Sequence, residues 1–310
     1  MAIILQEAQR AVFYAPYYAA LALNSYRDQG VDVSFRESSR PDNAVKNVTE
    51  GSSDLSWGGP MRVIVAHDRN PQSDLFCFSE VVTRDPFMLI AGVPCAEFKL
   101  ADLFALRLAV VSEVPTPWCC LQDDFRRAGL DPVGLNVNAR RTMSENAAAL
   151  RAGEVDVVQL FEPYAQELID EGVGHLWYSA ASRGQTSYTC FYARRSVLDK
   201  RRTEFVQMTC AIARTQEWLH SVSPLEISRV VKPYFPHLDS TRLTAAITNY
   251  WSSGIWGETP HLPQAGYEQL RRSLLSSGLV KRAPAFEQVV DNTFADAVTS
   301  YSTASRGTVP

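Results

Sequence analysis

Long apolar runs, clustered cysteines and a marked excess of one charge are all missing from this chain. Its longest apolar stretches, such as Phe87–Val93 and Leu103–Val111, fall far below the roughly 18 residues that a membrane helix needs, so no membrane insertion is expected. Thirty basic side chains stand against 34 acidic ones, a net charge of -4. No global positive field exists to hold a polyanion, which argues against nucleic acid as a partner. Six cysteines (Cys77, Cys95, Cys119, Cys120, Cys190, Cys210) are too sparse in 310 residues for a disulfide scaffold, and none forms a CxxC pair. Most of them read as small buried hydrophobes. The five histidines lack metal-ligand spacing, so no metal is expected. GxxxxGKS/T, GxGxxG, HExxH and GxSxG are absent, and with them the usual phosphate-loop, dinucleotide, zincin and hydrolase-elbow readings. No cofactor is expected.

What is present is an ordinary globular composition, 46% hydrophobic and 10% aromatic. At roughly 150 residues per domain, the length points to two domains or two lobes. Ala2–Gln6 reads as a buried first strand, Tyr17–Arg27 as a helix closed by Gly30, and Val31–Phe35 as a second strand. The rhythm continues with a helix over Asn43–Glu50, a strand over Asp54–Trp57 and a helix over Met61–His67. Strands are expected at Leu75–Thr83, Pro86–Val93, Leu106–Val111 and Val155–Leu160, with helices at Cys119–Ala128 and Ser144–Ala152. Such alternation predicts an α/β chain with mostly parallel sheets. After Ala193 the apolar spacing turns helical, through Leu198–Ser221, Pro224–Tyr234, Ser240–Tyr250 and Tyr267–Ser276, which predicts a helical layer around the α/β core. Ser300–Pro310 is small and polar and is expected to fray.

In parallel α/β sheets, ligands sit where strand ends meet helix N-termini. Beyond the first strand come Tyr14 and Tyr17; beyond the strand at Asp54 come Ser56, Trp57, Gly58 and Gly59. Beyond Val111 come Ser112, Thr116 and Trp118, and beyond Val158 come Phe161 and Glu162. Rings supply stacking faces, glycines let backbone N–H groups approach, and hydroxyls with one carboxylate fix orientation, so the set describes a pocket for a small, planar, polar molecule. Taken singly, each aromatic reads as well as a core residue. Glu162 is suited either to an amine-bearing ligand or to a helix N-terminus. Arg62, Arg84, Arg140 and Arg141 are available to an anion, although such side chains are mostly solvated. Cys119-Cys120 sits at an expected helix N-terminus, a position that lowers a thiol pKa, but the sequence names no base and packing is the simpler reading.

Tyr14-Ala15-Pro16-Tyr17-Tyr18-Ala19-Ala20, leading to Asp28-Gln29-Gly30-Val31-Asp32-Val33, resembles the opening of the thiamin-pyrimidine and sulfonate (NMT1/THI5/SsuA-like) solute-binding proteins. Asp54–Gly58, Ala128–Pro132, Ala152–Asp156 and Phe286–Ala295 are similar to later signatures of that family, in order, over roughly residues 2–297. The resemblance implies a two-lobed type II periplasmic-binding-protein fold, with crossings near Val81–Ile90 and Tyr188–Ala193. Lobe I would comprise 1–85 and 191–297, including the C-terminal helices, lobe II 86–190, and 298–310 a flexible tail. Tyr188, at the second crossing, joins the ligand set.

The expected function is that of a monomeric solute-binding protein of an ABC-type uptake system. Its ligand would be a small planar heterocycle, sulfonate or aromatic acid, its partner a transporter permease, and its site extracytoplasmic if a leader has been removed. The alternative is a cytoplasmic enzyme on the same fold, a decarboxylase, desulfinase or cofactor-biosynthesis type. Met1 lies directly against the first strand with no recognisable leader, and six free thiols suit a reducing compartment. The cysteine-rich motif of the fungal pyrimidine synthase is absent, as is a cysteine in the loop after the first strand, where a related aromatic sulfinate desulfinase carries its own. A ligand-sensing regulatory module is a third possibility.

Overall fold

Ile3–Gln6 (β1) is the apolar run that starts the chain, and it pairs in parallel with Val33–Arg36 (β2) and Leu55–Gly58 (β3). A computed structural model describes residues 1–38 and 41–298. Leu75–Val82 (β4) and Thr189–Arg194 (β10) complete the first sheet in the order β2-β1-β3-β10-β4. Met88–Ala91 (β5), Arg107–Ala109 (β6), Asn136–Asn138 (β7), Val157–Leu160 (β8) and His175–Ser179 (β9) form a second sheet, ordered β7-β6-β8-β5-β9. In each sheet four strands share one direction. The strand that runs against them, β10 or β5, is the one that arrives from the other sheet. The result is the two-lobed α/β fold that the alternation predicts.

Local chemistry sets the helices. Thr142 and Glu145 form a reciprocal capping box at the start of Met143–Arg151, and Gly153, at φ 67°, closes it. The expected helix over Tyr17–Arg27 is two pieces, Ala15–Ala22 and Ser25–Asp28, because Asn24 takes a left-handed φ of 58° between them. Strands β7 and β9 and the helix Tyr164–Asp170 were not expected. They are short or polar, and their pairing rather than their periodicity makes them regular. The C-terminal segment Phe286–Ala295 is not one helix: Phe286–Val289 stops where Val290 bridges to Cys77, and a new helix occupies 293–298. Of the expected tail, 299–310 lie outside the described residues.

The chain leaves the first sheet after Val82 and returns over 180–188. Of the expected second crossing, Tyr188 alone lies between the sheets, since Thr189–Arg194 is paired as β10. The two passages are hydrogen-bonded to one another: Tyr188 N to Val82 O, Thr186 N to Thr83 O and Ala180 N to Phe87 O, each at 2.9 Å. Helix Arg202–Ser221 packs on Ala15–Ala22 and β4, and Pro224–Val231 packs on Ala15–Ala22 and Ser240–Ser252, which forms the expected helical layer. Among the described residues, no helix is long and apolar enough to cross a membrane.

Candidate functional site

Strand β3 ends at Gly58, and Gly59 and Pro60 lead into helix Met61–Arg69. Space is tight at both glycines: a Cβ on Gly58 would lie 3.2 Å from Arg62 Nε and from the Tyr192 ring, and one on Gly59 3.3 Å from Tyr188 O, so a side chain would ask these neighbours to give by a few tenths of an ångström. Removing side chains here lets the Arg62 guanidinium fold back over the strand end. Its charge lies close enough to the Tyr14 and Tyr192 hydroxyls to oppose, in part, the upward pKa shift that burial imposes on both phenols. Tyr192 was not singled out from sequence. Its signal is the alternation along β10, which pairs it with Ser56 and puts it on the face beside Gly58.

Across from Arg62 stand Glu113, Val114 and Pro115 of the second lobe, the residues that open helix Thr116–Arg127. Between them is a cavity of about 520 Å³, lined on the first-lobe side by Lys46, Met61, Arg62 and Arg69. Helix Met61–Arg69 lines it from its first turn to Arg69 in its last, and Glu50 ends the helix that carries Lys46, so three cations face the space together with the carboxylates of Glu50 and Glu113. Its guanidinium and ammonium groups can meet an oxyanion. Glu113 brings a negative charge to the same space but is held, its Oε1 accepting a 2.9 Å hydrogen bond from Met143 N. Of the other arginines considered for an anion, Arg141 is paired with Glu154 at 2.8 Å.

The remaining candidates divide. Thr116 is buried just inside the second-lobe helix, while Ser112 is exposed and its N–H bonds Arg141 O. Trp57 and Tyr17 are fully buried in the core of the first lobe, stacked at 4.8 Å and 5°. Phe35 lies parallel to the same indole at 5.6 Å, and Tyr14 tilts against it at 6.1 Å. Ser56 is buried on the other face of β3, opposite Tyr192, with its hydroxyl on Trp57 O. Trp118 belongs to a separate cluster, packed with Leu121 and Phe125 in the second lobe. Tyr188 meets Phe13 edge-on at 6.1 Å, and Phe13 in turn meets Phe161 of the second lobe at 5.3 Å, so the lobes touch through aromatic edges. The phenols of Tyr17, Tyr188 and Tyr192 and the Trp57 indole N–H have no hydrogen-bond partner among the described residues.

Glu162 is fully buried. Asn249 donates to its Oε1 at 2.7 Å, Gln166 N donates to its Oε2 at 2.9 Å, and its own N–H donates to the Tyr250 hydroxyl at 2.8 Å. Burial pushes its carboxyl up, with the Asn249 and Gln166 bonds opposing. Its carboxylate thus ties the second lobe to helix Ser240–Ser252. Packing, the simpler reading of Cys119 and Cys120, agrees with their place: both sit a turn inside the helix, buried, and burial pushes both thiols up. Of the six cysteines only Cys95 is exposed.

A model of the NMT1-like family matches residues 10–232. The Bacillus subtilis protein named "Putative binding protein YtlA" is 24% identical over 296 residues, covering 95% of this chain and 89% of that protein. The periplasmic aliphatic sulphonate binding protein SsuA from Escherichia coli superposes with a TM-score of 0.75 at 16% identity, covering 93% of this chain and 96% of that one. The desulfurization enzyme DSZB also superposes, with a TM-score of 0.71 at 13% identity, over 97% of this chain and 99% of its own.

Proposed function

The chain belongs to the NMT1-like family, and from that premise we propose that it is a solute-binding protein of an ABC-type uptake system. It closes its two lobes on a small organic acid, a sulfonate or an aromatic carboxylate, and presents it to a transporter permease outside the cytoplasm. Residues 1–85 and 191–297 act as one lobe and 86–190 as the other. The name of the Bacillus relative and the sulphonate binding of the Escherichia coli neighbour support this reading.

One observation carries it. Arg62, with the buried Tyr14 and Tyr192 phenols behind it, borders a cavity between the lobes. A guanidinium offers a planar fork to a sulfonate or carboxylate, and Lys46 and Arg69 on the same side outweigh Glu50 there. In the closed arrangement ligand binding is favoured by contacts to both lobes at once.

DSZB shows that this fold also supports catalysis, so the experiment must separate capture from conversion. The protein is screened by thermal shift against sulfonates, aromatic carboxylates and neutral pyrimidines, and each stabilising compound is recovered and weighed by mass spectrometry. An acid recovered intact is the expected result. A lighter compound would establish an enzyme, and stabilisation by neutral pyrimidines alone would refute the role given to Arg62.

A further inference from the structure

Asp123 and Asp124 are consecutive on helix Thr116–Arg127, yet their carboxylates join different parts of the molecule. Asp124 is bound by Arg183, with Nε to Oδ1 at 2.8 Å, and Arg183 reaches on to Asp85 at 3.0 Å; the Tyr178 hydroxyl adds a bond to Asp124 at 3.2 Å. Asp85 lies in the first passage between the sheets and Arg183 in the second. Side-chain exposure is 2% for Arg183, 0% for Asp85 and 9% for Asp124, so the trio is closed to water. A buried arginine with two carboxylates is costly to take apart, because each partner would be left as an unpaired charge.

Asp123 turns the other way, toward helix Gln264–Ser276. Its Oδ2 accepts from Gln269 Nε2 at 3.1 Å, Arg272 Nε at 3.3 Å and Ser273 Oγ at 3.3 Å, and its Oδ1 accepts from Ser276 Oγ at 3.0 Å. That C-terminal helix packs on helix Met61–Arg69 and, more extensively, on helix Thr116–Arg127: its Tyr267, Leu270 and Leu274 share one apolar cluster with Val63 and Ile64 of the first and Cys119 and Cys120 of the second, so lobe opening must part this apolar contact along with the Asp123 bonds. The Asp123 contact therefore crosses between lobes, whereas the Asp124 contact stays with the second lobe and the passages. Arg272 is half exposed, which leaves the Asp123 contact open to water from one side.

We propose that Asp123 is an interlobe latch and Asp124 the fixed joint beside it: opening of the lobes breaks the Asp123 bonds to helix Gln264–Ser276 while Arg183 keeps helix Thr116–Arg127 on the passages. The cleft-facing start of that helix, at Pro115 and Thr116, then swings with the second lobe. The latch sets how much of the closed form exists and so scales affinity without touching the solute. The inference rests on the reading of the two halves as lobes that move.

The test is an interlobe distance measured in the full chain with no solute added, so that an error about the ligand leaves it intact. Spin labels are placed on exposed Cys95 in the second lobe and on Ser34→Cys in the exposed part of β2. Asp123→Ala is expected to move the population about tenfold toward longer distances, as loss of a hydrogen bond to a charged group would. Arg272→Gln is expected to act in the same direction by less, and because Arg272 is half exposed that variant folds even if Asp123→Ala does not. Asp124→Asn should lower the melting temperature without lengthening the distance. Unchanged distances in both Asp123→Ala and Arg272→Gln would overturn the latch, and lengthening by Asp124→Asn would overturn the assignment of the fixed joint.

Discussion

The indole of Trp57 and the ring of Tyr17 lie within 5° of parallel, 4.8 Å apart, and neither reaches solvent. Trp57 comes from the parallel strand β3 and Tyr17 from the helix after β1, so the stack fastens the first helix to the sheet. Phe35 of β2, parallel to the same indole, carries the stack to the next strand. This is packing at the heart of the first lobe, beneath the strand end where Arg62 sits.

Replacing Trp57 by alanine removes the shared member of both stacks and leaves a cavity in a close-packed core. A loss of about 3–5 kcal/mol in denaturant unfolding is expected, with Trp57→Phe costing clearly less. A Trp57→Ala protein as stable as the parent would show that the stack contributes nothing.

Arg62 is expected to govern affinity for an acid solute. Arg62→Ala should weaken binding by calorimetry at least about tenfold, and Arg62→Lys should recover part of it, since an ammonium keeps the charge but not the planar fork. Equal affinity in the parent and Arg62→Ala would remove Arg62 from the site.

Glu80 lies in β4 with its side chain buried, and its Oε1 has no hydrogen-bond partner among the described residues. Burial pushes its carboxyl from 4.5 up to about 8, with the nearby Ser187 and Thr83 hydroxyls opposing. The folded protein therefore holds this proton at pH values where the unfolded chain has released it. Stability should accordingly be greatest below pH 4.5, as far as this group is concerned, and fall as pH rises from there to about 8. Glu80→Gln should flatten that slope and stabilise the protein at pH 8 by at least about 1 kcal/mol, given about 1.4 kcal/mol for each unit of pKa change. A variant with the parent's pH profile would mean that Glu80 ionises freely in the fold.

The alternation of strand and helix was readable because apolar periodicity and glycine stops are local signals. Leu55–Gly58, Met61–Arg69 and Thr116–Arg127 fall within a few residues of their expected positions for that reason. Strand β7 was not readable: Asn136-Val137-Asn138 has no apolar run, and only its pairing with Arg107–Ala109 makes it a strand. The site was half readable. Strand ends drew attention to Gly58 and Gly59, and the arginine that they make room for was among those considered. What sequence could not supply was the side of the sheet each residue would occupy, which sends Trp57 into the core and Tyr192 to the arginine. Long-range polar contacts such as Asp123 with Ser276, 153 residues apart, leave no trace in spacing at all.

The passages between the sheets run side by side, bonded to each other at Val82, Thr83 and Phe87. Between the bonds at Thr83 and Phe87 the second passage carries 181–185 against 84–86 in the first, so a change of length falls there and would turn Asp85 away from Arg183. Over evolutionary time both lengths should vary little, and Asp85 and Arg183 should be kept or lost together. Two stretches of chain about a hundred positions apart are in this respect inherited as one.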